Sequence, residues 1–113
     1  MPVLRLQRVL RGAYVQRGDY HEVARWLENF VNSHAKREDP RAEAVLDTEG
    51  PREGTSYGVR VRLGERWSSE IEQLFADVAS NRGSLAWCQQ LADRVRGLVR
   101  EITAAGRPLS RPA

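Results

Sequence analysis

A chain of 113 residues, 41% hydrophobic and 29% charged, has the length of one domain and a globular composition, which excludes a disordered chain. No run approaches the ~20 apolar residues of a membrane span, and Arg5 breaks the N-terminal apolar stretch too early for a signal peptide, so a soluble, cytoplasmic protein is expected. The net charge of +3 comes from seventeen arginines, one lysine (Lys36) and fifteen acids, an arginine bias that GC-rich coding produces without selection for a polyanion partner.

The single cysteine, Cys88, excludes an internal disulfide and a Cys-x-x-Cys motif and fits a reducing compartment. One α+β domain is expected over 1–106, with 107–113 as a flexible C-terminal tail.

Residues 3–16 admit two readings. Val3, Leu6, Leu10 and Ala13 suit a helix, whereas Leu4, Leu6 and Leu10 suit a strand interrupted by Arg8. A two-stranded hairpin alone is marginal, which favours the strand and the order β-α-β-β-α-α; the alternative is α-α-β-β-α-α.

Asp19-Tyr20-His21-Glu22 has the form of a capping box. It opens an apolar stripe of Val23, Trp26, Leu27, Phe30, Val31 and His34, which predicts a helix over about 20–36 that stops before Asp39-Pro40.

Tyr57, Val59, Val61 and Leu63 alternate with Gly58, Arg60, Arg62 and Gly64, the period-two pattern of a strand with one buried face. Ala42 to Thr48 is a weaker strand. The turn residues of Gly50-Pro51-Arg52-Glu53-Gly54 join the two into a hairpin.

Ser69-Glu70-Ile71-Glu72 reads as a second capping box, opening a helix with the stripe Ile71, Leu74, Phe75, Val78, Ala79. Asn81-Arg82-Gly83 reads as its left-handed stop. Ser84 then caps a last helix carrying Cys88, Leu91, Ala92, Val95, Leu98, Val99 and Ile102, which Gly106 and Pro108 end.

Leu10, Tyr14, Gly18-Asp19-Tyr20, Val23 and Leu27 resemble the middle of a tetratricopeptide repeat, in which a Gly-Asp-Tyr turn joins two helices. Gln7 and Arg11 stand where that pattern takes a large aromatic and a small residue, Val23 replaces its alanine, and no second unit follows. The chain is therefore not assigned to that family.

The scarce catalytic residue types are His21, His34 and Cys88, with Asp47 and Glu49 near the hairpin turn. The histidines lack the i, i+4 spacing of a metal pair, Cys88 lies on an apolar stripe, and the glycines form no phosphate loop, so no catalytic residue, metal or cofactor is assigned.

Two surfaces remain. Trp67 and Trp87 lie beside element starts, where a large ring can anchor a partner, and they point to a non-enzymatic protein-interaction module (an adaptor, assembly factor or regulatory subunit) or to self-association. Arg60 and Arg62 share the polar face of their strand; with Arg5, Arg8 and Arg11 near the N-terminus and Arg94, Arg96 and Arg100 on the last helix, they could form a nucleic-acid-binding surface, the alternative function. Neither reading involves a membrane.

Overall fold

The computed structural model describes the backbone of residues 2–105 and the side chains of 19–104. The element order is α1 (Pro2–Glu38), β1 (Glu43–Asp47), a 3₁₀ turn (Gly50–Arg52), β2 (Ser56–Leu63), β3 (Arg66–Trp67), β4 (Ile71–Leu74), α2 (Phe75–Asn81) and α3 (Leu85–Ala105). Among the described residues, three α-helices and a four-stranded antiparallel sheet make an α+β domain, as the sequence implies. The expected tail, 107–113, lies outside the described residues.

The expected hairpin forms. β1 pairs with β2 from Glu43 opposite Arg62 to Asp47 opposite Gly58, and Gly50 and Gly54 in the loop adopt φ of 77° and 83°, a region open to glycine at no steric cost. Tyr57, Val59 and Val61 are fully buried and Leu63 nearly so. They pack with Val23, Leu27 and Val31 of α1 and Leu91, Val95, Val99 and Ile102 of α3, which places both long helices on the inner face of the sheet.

The N-terminal strand is overturned. The backbone of 2–18 is helical and continues without a break into the expected helix, so one element of 37 residues replaces the strand, the Asp19 cap and the Gly-Asp-Tyr turn of the tetratricopeptide resemblance. The order thus approaches the alternative topology, with its two N-terminal helices fused. The reasoning that a hairpin needs further strands holds, but they come from the other side of β2: β3 and β4 both pair with it, as far as Ser56 opposite Leu74.

The helix expected from Ser69 is corrected in the same way. Residues 71–74 are a strand and only Phe75–Asn81 is helical. β2 is the central strand and must satisfy hydrogen-bonding groups along both edges, so pairing of Ile71 with Val59 and Gln73 with Tyr57 overrides the helical stripe. Ser69 caps nothing; its N–H and hydroxyl donate to the Glu101 carboxylate of α3 at 2.9 and 3.0 Å.

Between the pairs Arg62–Trp67 and Val59–Ile71, two residues of β2 face three of the opposing segment, a β-bulge centred on Ser68–Glu70. Ser68 closes it. Its N–H donates to the Val61 carbonyl at 2.9 Å, and its hydroxyl accepts the Val61 N–H at 2.9 Å and donates to the Ser69 carbonyl at 2.8 Å.

Gly83 does not take the expected left-handed conformation, because Arg82 remains right-handed helical at the end of α2 and the chain turns directly into α3. The Ser84 cap does form, its hydroxyl accepting the Trp87 N–H at 3.2 Å. At the free edge of β1, the Asn32 side-chain oxygen of α1 accepts the Ala44 N–H, and the Lys36 ammonium donates to the Ala42 carbonyl, both at 3.0 Å.

Candidate partner-binding face

The outer face of the sheet is set by the register. Residues directly opposite each other across an antiparallel pair share a face, so Glu43, Val45 and Asp47 of β1, Gly58, Arg60 and Arg62 of β2, Trp67 of β3 and Glu72 of β4 all point away from the helices. The loop after β2 fixes Trp67: Gly64 adopts φ 66° at the first of two loop residues, bringing Arg66 opposite Leu63 and Trp67 opposite Arg62.

Trp67 is 43% exposed. The Arg60 guanidinium carbon lies 4.5 Å from the centroid of its ring and that of Arg62 5.6 Å, within cation–π range. Arg62 is also paired with Glu43, its cross-strand neighbour. Arg60 has no carboxylate at ion-pair distance among the described residues. The structure thus joins one residue of the aromatic set to two of the basic set.

The other end of this face is closed by charge. The Arg52 guanidinium bonds both oxygens of Glu70 at 3.2 and 3.3 Å, lies 3.9 Å from Asp47, and crosses the space that a side chain at position 58 would occupy. Hydrogen bonding to Glu70 raises the Arg52 pKa further above its already high ordinary value.

The remaining predicted residues lie elsewhere. Trp87 is half-buried against the core at the start of α3. Trp67 lies two residues before Ser69, which bonds Glu101, and Glu101 stands about 21 Å farther along α3 than Trp87 at 1.5 Å per residue. The two tryptophans therefore do not form one patch.

Arg94 is exposed, Arg96 pairs with Asp93 at 3.2 Å, and Arg100 pairs with Glu38 of α1 at 3.1 Å. All three belong to the helical layer, with the sheet between them and Arg60 and Arg62. The side chains of Arg5, Arg8 and Arg11 lie outside the described set.

The catalytic residue types are also dispersed. His21 is exposed, 3.9 Å from Glu53. His34 lies against Phe30, their ring centroids 4.5 Å apart, and burial, then the charges of Arg37 and Arg96, lower its pKa. Cys88 is half-buried, its thiol 3.6 Å from the Arg82 carbonyl. Among the described residues no three His, Cys, Asp or Glu side chains gather as a metal site, and no helix is long and apolar enough to cross a membrane.

Sequence reasoning identified Trp67, Arg60 and Arg62 but assigned them to competing surfaces. Their convergence depends on a two-residue loop at Gly64-Glu65, for which the glycine was the available signal. No protein-family model, curated protein or solved structure matches this chain.

Proposed function

We propose that this domain is a non-enzymatic protein-interaction module that engages a protein partner, or a second copy of itself, through the Trp67 end of the outer sheet face. One observation carries the reading: the half-exposed Trp67 indole is held on a strand and flanked by two guanidiniums. Tryptophan and arginine are the side chains most enriched at binding hot spots, and a ring fixed before binding loses little entropy on contact. The free thiol of Cys88 fits a reducing, cytoplasmic setting for that partner.

The test is Trp67→Ala, with Trp87→Ala for comparison, in chains whose circular dichroism matches the parent. Cross-linked partners or the oligomeric state should change with Trp67→Ala. If partners and oligomer stay the same in both variants, this face is not the interface.

The adjacent guanidiniums of Arg60 and Arg62 favour nucleic-acid binding as the second reading, since two such groups on one strand match phosphate oxygens. Phosphate-driven affinity falls steeply with salt. An absence of DNA and RNA binding at low ionic strength removes that reading.

A further inference from the structure

The two guanidiniums of the open sheet face differ in their partners. Arg60 lies over the Trp67 ring without an ion-pair partner among the described residues, so an incoming carboxylate has no resident one to displace from it. Stacking on an aromatic ring holds a guanidinium in one plane and pre-organises it for two-point bonding to a carboxylate. Arg62 is paired with Glu43, and both side chains are close to half exposed; such a surface pair contributes little and exchanges readily.

Arg60 and Arg62 stand two positions apart on one face of β2, about 6.6 Å along the strand. An extended chain bearing an acid at every second residue repeats at the same pitch. A long phosphate backbone fits less well, because it would leave the arginines onto carboxylates: Glu43 and Asp47 towards β1, Glu70 and Glu72 towards β4. The favourable potential is short and local.

We propose that the Trp67 end of the outer face binds an extended acidic polypeptide segment, with carboxylates at alternate residues pairing with Arg60 and Arg62 and displacing Glu43 from Arg62. This inference rests on the partner-binding role of Trp67 proposed above and adds the chemistry of the partner.

The experiment uses the full chain, isotope-labelled so that the Trp67 indole N–H and the arginine Nε–H signals are read directly. It is titrated with end-capped Thr-Glu-Thr-Glu-Thr, with the same peptide carrying Gln for Glu, and with a short single-stranded oligonucleotide of equal charge. The acidic peptide should move the Trp67, Arg60 and Arg62 signals and leave those of α3 in place. Arg60→Gln, which keeps the fold because it lies on the open face, should weaken it about tenfold, the loss of one charge-assisted contact. Glu43→Gln should strengthen binding by removing the competitor.

Equal binding of the glutamine peptide overturns the inference, as does weaker binding by Glu43→Gln. Tighter binding of the oligonucleotide overturns it in favour of nucleic acid. If no probe moves these signals while Trp67→Ala still changes the partners or oligomer, the acidic inference fails and the interaction reading stands.

Discussion

Tyr20 and Tyr57 bring hydroxyls into the core, and each donates to a main-chain carbonyl of the other's segment. The Tyr57 hydroxyl donates to the Tyr20 carbonyl at 2.7 Å and that of Tyr20 to the Ser56 carbonyl at 2.6 Å, with the rings stacked 4.6 Å apart. Tyr57→Phe should cost about 1 kcal/mol, the usual net worth of one such bond, read from urea unfolding. Burial raises both phenol pKa values above the ordinary 10.0. Folded and unfolded chains therefore both hold these protons below about pH 10; above it the unfolded chain ionises first and stability falls. Unfolding midpoints compared at about pH 8 and about pH 10.5 should show a shallower alkaline loss in Tyr57→Phe. The inward direction of Tyr57 was legible from strand alternation. The bond to a carbonyl 37 positions away was not, because a long-range acceptor leaves no local pattern.

Among the elements, the bulge and the fused helix give opposite kinds of test. Ser68→Ala removes the acceptor of the buried Val61 N–H and should cost about 1–3 kcal/mol in urea unfolding. Gly58→Ala looks worse on paper, since its Cβ would meet the Arg52 and Glu70 side-chain ends. Those ends are flexible and form a partly exposed ion pair that can swing aside, so the change should stay within about 1 kcal/mol. Because helix runs through Gly18, Gly18→Ala should raise the unfolding midpoint by the equivalent of about 0.5–1 kcal/mol; a turn at that position would give the opposite sign. The alternation of β2 and the apolar stripe of α3 were legible because pattern and burial agree there. At Ile71 to Phe75 a helical stripe and a strand edge fit the same residues, and the decision came from the unpaired side of β2, a tertiary demand. Residues 3–16 were ambiguous for the same reason, and here the demand for more strands was met elsewhere.

The whole molecule divides its labour between two faces. The inner face holds the sheet to α1 and α3, and the outer face carries charge and one tryptophan. Trp67→Ala should therefore shift stability by less than about 1 kcal/mol in thermal or urea unfolding, even though it removes the proposed anchor. A larger loss would make the ring a structural prop. The class of fold, and Arg60, Arg62 and Trp67 as residues to single out, could be read from the sequence; the place of Glu72 on this face, the assembly of all of them on one surface, and the separation of the basic segments by the sheet depend on register and layer order, which composition does not encode. The contacts of Asn32 with β1 and of Lys36 with the residue just before it have a colloidal consequence. An edge strand with free N–H groups is a template for adding further chains, and here a helix side chain occupies one of those groups before a neighbour can. Asn32→Leu should fold, yet scatter light sooner on concentration, as uncovered edges begin to recruit one another.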